Sequence, residues 1–310
     1  MKSKIINVFI LLLFLIGVIF IFYPSVTSYL YERESKDVIY TFEEVAEDFV
    51  EDNEGGETGE SGESEQSHKL YADMQTYNQM IYADGQANLK DPFVFETPAY
   101  DLKNYGFDNN VVGYVNIPKM DIELAIYLGA TTENMAKGAV NLGYTSTPIG
   151  GENTNTVLAA HRGYSGKAMF RNIEALETGD KVYVTNFWGT LTYQVVETRV
   201  ILPTDIDQIR IQDGKEMLTL ITCHPYTKNY QRYVVYCERT AEADEQTEQT
   251  DEPDTGLELS YLLKLNKLSQ SQRLIFAEKW IPIGISVILF LAVVYRLIFI
   301  RKRKRKEKKH

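Results

Sequence analysis

The chain has 310 residues, room for one sizeable domain or two small ones, with 44% hydrophobic residues and a formal net charge of −11. All but one of the 43 acidic residues lie between two long apolar runs, with only 21 of the 32 basic ones, and that balance excludes nucleic acid as a partner, since a phosphate backbone demands the opposite sign. No phosphate-binding loop and no cluster with metal-ligand spacing stands out, so no cofactor is expected.

Ile5 to Tyr23 carries no charge. At 1.5 Å per residue it reaches roughly 28 Å, close to the thickness of a bilayer core. It is longer than the apolar part of a usual signal peptide, and "PSVTSYLYERES" after it offers no small-x-small cleavage site, so it reads as a retained signal anchor. Ile281 to Ile300 is long enough for a second span, with Arg296 near its end, where the side chain can snorkel. Lys2 and Lys4 precede the first run and "RKRKRKEKKH" follows the second. Positive flanks stay in the cytoplasm, which places residues 24–280 outside; the basic tail is a topology signal and a contact for anionic lipid.

Outside the first run, Glu43 to Glu65 holds eleven acidic residues and no basic one, broken by glycine and serine. It is read as a solvated spacer. Leu70 to Leu89 is predicted helical with an interruption near Gly85, stopped by Asp91-Pro92-Phe93. A polar connection runs to about Asn110. Short β-branched and aromatic runs then predict strands: "GYVNIP", "IELAIYLG", "NTVLAAH", "KVYVTN", "LTYQVVETRVIL", "MLTLITC" and "RYVVYCER". "TTENMAKGA" predicts a short helix capped by Thr131 or Thr132, "KAMFRNIEALETGD" has helical spacing up to Gly179, and "FWGT" marks a hairpin turn. Seven or eight short strands with few helices predict a mostly β fold, a closed or nearly closed barrel.

The two cysteines, Cys223 and Cys237, fall in the last predicted hairpin. Pairing Cys223 with Arg232 sets Cys237 opposite Leu218, five residues along the ladder and roughly 16 Å away. A disulfide needs Cα atoms within about 7 Å, so no bridge is expected and Cys237 is a small apolar filler. Cys223 stands where a strand runs into a turn, and a nucleophilic thiol there needs a base or a cation. Of the four histidines, His68 lies in the spacer and His310 in the tail; His224, next to Cys223, faces the other way along a strand. His161 ends a predicted strand and can meet Cys223 if the two strands lie together. Arg232 places a fixed cation beside the thiol, suited to a thiolate or an oxyanion.

These residues resemble the sortases. Thr219-Leu220-Ile221-Thr222-Cys223 matches the family's Thr-Leu-x-Thr-Cys, His161 lies about sixty residues upstream at a strand end, and Arg232 follows nine residues later. The resemblance covers about residues 111–240. Asp91-Pro92-Phe93 and the paired apolar runs also resemble the class C, pilin-polymerising sortases, which place an Asp-Pro-aromatic lid over the active site. His224 stands where class C sequences usually carry threonine.

The resemblance implies a cysteine transpeptidase in which Cys223 attacks the Thr–Gly carbonyl of an LPXTG-like sorting signal. His161 would protonate the leaving amine, Arg232 would steady the oxyanion, and a pilin lysine would open the thioester. The substrates would be LPXTG-bearing pilin or surface proteins, in the membrane of a Gram-positive-type bacterium. Two other readings differ in acceptor or class: anchoring to peptidoglycan cross-bridges, and a non-catalytic membrane-tethered scaffold or adhesion module on the same barrel. The expected organisation is residues 1–4 cytoplasmic, 5–23 anchor, 24–69 acidic spacer, 70–110 helical segment and lid, 111–240 sortase-like catalytic barrel, 241–279 linker and juxtamembrane helix, 280–300 second span and 301–310 basic tail. The lid rests on Asp91, Pro92 and Phe93, with Asp91 paired to Arg232. If that pair is exposed it contributes only about 0–1 kcal/mol, and the lid opens easily.

Overall fold

The computed structural model describes residues 2–54, 62–91, 93–94, 101–105, 107, 109–164, 166–240, 269–277, 280–281, 283–288, 290 and 295. They fall into two compact units, residues 1–30 with 253–310 and residues 31–252. In the first unit the rings of Phe14 and Phe290 lie 5.9 Å apart. Among the described residues no helix is long and apolar enough to cross a membrane. Many side chains of 5–23 and most of 289–310 lie outside the described residues, as do the linker after Thr240 and the basic tail.

The second unit is built on a closed barrel of eight strands: β1 (Val111–Ile117), β2 (Ile122–Leu128), β3 (Ala139–Asn141), β4 (Thr154–Ala159), β5 (Lys181–Asn186), β6 (Gly189–Ile201), β7 (Glu216–His224) and β8 (Gln231–Arg239). Around the barrel the order is β1-β2-β3-β4-β7-β8-β6-β5. β2–β3 and β4–β7 are parallel and the rest antiparallel. Every residue of β4 is buried, the polar Thr154, Asn155 and Thr156 included. β5 and β6 form a hairpin across Phe187 and Trp188, with Gly189 already paired to Asn186. At Gly113 in β1 the ladder carries a bulge, and a Cβ there would stand 2.1 Å from the Thr185 carbonyl oxygen, so only glycine lets β1 and β5 close at that point.

Several expectations need correction. β3, only three residues long, was not among the predicted strands. The helical spacing of 167–180 yields a single 3-10 turn, Ile173–Ala175, although its apolar residues Met169, Phe170 and Ile173 are buried. The acidic spacer differs most. Helix α1 covers Lys2–Glu54 and α2 covers Gly62–Ala83, so the spacer is helical wherever it is described. The helix is anchored just ahead of the acidic run, where Tyr31, Ile39 and Phe42 are buried and Phe42 packs 4.7 Å from Phe187 at the β5–β6 turn, and Val45 and Ala46 continue the contact as partly buried residues. On α2, Leu70, Met74, Asn78 and Ile81 are buried at helical spacing, and Asn78 Oδ1 accepts from the Thr147 main-chain N–H at 2.8 Å. The short helix α3 (Thr132–Lys137) is capped by Thr131, whose hydroxyl accepts from Asn134 N.

Candidate active site

The register of the last hairpin places the thiol. Cys223 pairs with Arg232 and Leu218 with Cys237. Both cysteines are free; Cys237, fully buried mid-strand between Leu218 and Val195, is an apolar filler whose thiol burial holds far above its ordinary value. β7 ends at His224, and the turn to β8 begins with a cis His224–Pro225 bond. Thr227 and Asn229 take positive φ in that turn, and its carbonyl at Asn229 faces back toward the barrel end.

β4 lies against β7 in parallel, with Ala159 opposite Ile221. Both strands therefore run out at the same end, and continuing the register by two residues brings His161 level with Cys223. The ladder itself stops short of that point: the last main-chain bond runs from Ala160 N to Ile221 O at 3.3 Å. Past it, Thr222 Oγ1 donates to the Ala160 carbonyl at 2.6 Å. His161 stacks on Tyr164, with ring centroids 4.8 Å apart, and burial lowers its pKa below the usual imidazole value.

Arg232 is almost fully buried and makes four side-chain hydrogen bonds. Nη1 donates to the Asn229 and Gln231 carbonyls at 3.1 and 2.9 Å. Nε and Nη2 donate to the two carboxylate oxygens of Asp91 at 2.8 and 2.7 Å, a two-pronged pair. The side chains of that pair are only 8% and 12% exposed, so it is not the weak surface pair expected above. The Arg232 guanidinium sits 4.8 Å from the Phe93 ring centre, and that ring is 6.0 Å from His161. Phe93 thus touches both neighbours of the thiol. Pro92, between them, lies outside the described residues. What holds this segment in place is Leu89, buried, and Gln86, which bridges the Tyr144 carbonyl and the Ile211 N–H.

Burial raises the Cys223 thiol pKa; the Arg232 charge opposes that, Asp91 adds to it, and Arg162 opposes it again. His224 lies away from the thiol, with its Nδ1 2.7 Å from Arg162 Nη1. Arg162 also pairs with Glu174. Neither Arg162 nor Glu174 is singled out by sequence: one reads as a turn residue and the other as part of a surface helix, and nothing local marks their meeting. Among the described residues no group of three or more His, Cys, Asp or Glu could hold a metal ion.

A closed eight-stranded barrel that gathers a thiol, an imidazole and a guanidinium at one end defines the class of protein. The particular family follows from comparison. The family model of the sortase domain matches residues 115–240. Sortase D of Bacillus subtilis is 32% identical over 130 residues, 41% of this chain and 63% of that protein. Sortase A of Listeria monocytogenes is 33% identical over 132 residues, 42% of this chain and 57% of that protein. The matches thus span less than two thirds of those relatives' lengths. Among solved structures, the Group B Streptococcus pilus island 1 sortase C2 is 32% identical with a TM-score of 0.52, covering 57% of this chain and 98% of that one. Sortase C1 of the same pilus island is 30% identical with a TM-score of 0.56, covering 70% and 97%. The chain belongs to the sortase family, whose members are cysteine transpeptidases.

Proposed function

We propose that this chain is a membrane-anchored transpeptidase of the pilin-polymerising kind. The observation that carries the reading is the pairing of Cys223 with Arg232 beside the parallel end of β4, with Asp91 occupying two of the guanidinium's donors. In the reaction, the Cys223 thiol passes its proton to His161, and the resulting thiolate attacks the Thr–Gly carbonyl of an LPXTG-like signal. The oxyanion takes the Nε and Nη2 donors that Asp91 vacates. The C–N bond breaks, the departing amine takes its proton from His161, and a thioester remains. A lysine amine of the next pilin then attacks the thioester and gives its proton to His161, and the thiolate leaves. Similarity to pilus-island sortases supports the lysine acceptor.

Residues 91–93 act as a lid. Closed, the segment buries the thiol and sets a carboxylate against its cation, both of which disfavour thiolate. Opening removes both effects at once, so access and nucleophilicity rise together. The two apolar runs, 5–23 and 281–300, hold the enzyme in the membrane with the barrel outside. The test uses the full chain with a sorting-signal peptide and two competing acceptors, a pilin-derived lysine peptide and a cross-bridge amine. A Cys223 thioester resolved by the lysine peptide supports the reading. Resolution by the cross-bridge amine alone would reassign the enzyme to cell-wall anchoring, and no thioester would leave a scaffold.

A further inference from the structure

β4 ends at Ala159 and its bonding to β7 stops at Ala160 N; the His161 carbonyl accepts from Phe170 N–H at 3.1 Å, a bond to the following loop and not to the strand that carries Cys223, although the reaction proposed above requires the His161 ring to stay in reach of Cys223. Two side-chain bonds bracket it. On one side Thr222 Oγ1 donates to the Ala160 carbonyl. On the other, Arg162 turns inward and its Nη1 reaches the Cys223 main-chain carbonyl at 3.4 Å. The residue before the imidazole is thus tied to the residue before the thiol, and the residue after it to the thiol's own carbonyl. An arginine in the turn after a strand would ordinarily point to solvent, yet Arg162 is 5% exposed.

A buried guanidinium needs its charge met and its donors bonded; in Arg162 both terminal nitrogens are bonded, while the buried Nε has no hydrogen-bond partner. Glu174, from the 3-10 turn Ile173–Ala175, takes the charge through Nη2. His224 takes a proton donor at Nδ1, 2.7 Å away. Because a guanidinium has only donors, Nδ1 must accept, which makes this imidazole neutral with its proton on Nε2. The 3.2 Å approach of Glu174 to the same Nδ1 would suit a protonated ring. The Arg162 contact is the shorter of the two, and burial and the Arg162 charge push the His224 pKa down while Glu174 pushes it up. The guanidinium also lies over the Tyr233 ring at 5.9 Å. Arg162 is thereby locked by three separate elements: the 173–175 turn, the end of β7 and the start of β8.

We propose that Arg162 is a positioning residue of the catalytic pair, a clamp held by Glu174 and His224 that fixes the chain carrying His161 against the Cys223 carbonyl. This rests on the transpeptidase reading. His224 then acts through Arg162 and touches no substrate. A misplacement of the reacting groups by about 1 Å can cost on the order of a hundredfold in rate, so loss of the clamp should fall on turnover and leave peptide binding in place. Lysine cannot replace it, since a single ammonium lacks the spread of two terminal nitrogens that here reach a carboxylate, an imidazole and a carbonyl.

The test compares Arg162→Lys, Arg162→Met, His224→Leu and His224→Asn with the parent, as full chains. Thermal melting, kcat and KM for sorting-signal cleavage, and the pH profile of Cys223 alkylation by iodoacetamide are measured for each. Arg162→Lys should lower kcat at least about tenfold with KM changed less than about twofold. His224→Leu should lower kcat severalfold, and His224→Asn, whose amide oxygen can accept from Arg162, should restore it. A folded Arg162→Lys with parental kcat, a loss confined to KM, or His224→Asn no better than His224→Leu would each overturn the clamp. If the Arg162 variants do not fold, the two His224 variants decide alone. If the parent itself fails to cleave the peptide, the transpeptidase reading falls and alkylation still decides: His224→Leu should move the midpoint of the profile, and an unmoved midpoint would remove the clamp as well.

Discussion

Replacing Asp91 and Phe93 together by alanine removes the segment's ion pair and ring contact with Arg232, and the ring contact with His161, while leaving Leu89 and Gln86 in place. The two-pronged pair with Arg232 is charge-assisted and shielded from water. Hydrogen bonds to charged groups contribute about 1.5–3 kcal/mol net, and the guanidinium over the Phe93 ring, 4.8 Å away, adds about 0.5–2. A loss of roughly 3 kcal/mol corresponds to about a hundredfold rise in the opening constant. The readout is the second-order rate of Cys223 labelling by a small alkylating reagent. When reclosing outpaces labelling the rate follows the open population, so it should rise by about ten- to a hundredfold. Removing Asp91 also frees the Arg232 charge to favour thiolate, which should move the midpoint of the pH profile down. The two effects separate cleanly: opening multiplies the rate at every pH, and the thiol shift moves the curve along the axis. Labelling at the parent's rate across the pH range would show that the segment does not cover the cysteine, and the lid would have to be abandoned.

Cys223→Ala should abolish thioester formation as read by mass spectrometry, whereas Cys237→Ala should keep most activity and lose only about 1 kcal/mol of stability in a denaturant titration. His161→Ala should cost orders of magnitude in transpeptidation with little change in peptide affinity, as measured by kinetics and by binding to the Cys223→Ala background. His161 and His224 are both held below the ordinary imidazole value by burial. The folded chain therefore binds fewer protons than the unfolded one, so their contribution is full above about pH 6.5 and is lost as pH falls through that value toward the lowered pKa. The melting temperature should thus drop on acidification over that window, and less steeply in His161→Gln. Gly113→Ala would force a Cβ against the Thr185 carbonyl; the strands must part, at a cost of about 3 kcal/mol by chemical denaturation.

Residue spacing alone settled the part of the site that lies within one hairpin. Antiparallel pairing has a fixed sum, so placing Cys223 opposite Arg232 also put Cys237 opposite Leu218 and ruled out a bridge, and the structure has both pairs. Strand identity was equally legible, because alternation and β-branching are local properties; only β3, too short to show a period, escaped. Tertiary structure decided everything that joins distant segments. That β4 runs parallel to β7, which brings His161 level with Cys223, depends on a crossover that no local pattern encodes. The meeting of Asp91 with Arg232, 141 residues apart, and that of Phe42 with Phe187 are likewise contacts between distant segments. Arg162 and Glu174 show the same limit most plainly. A charged residue's role is set by which charge of opposite sign the fold brings within about 4 Å, and in these two the partners come from either side of a loop whose helical spacing pointed elsewhere.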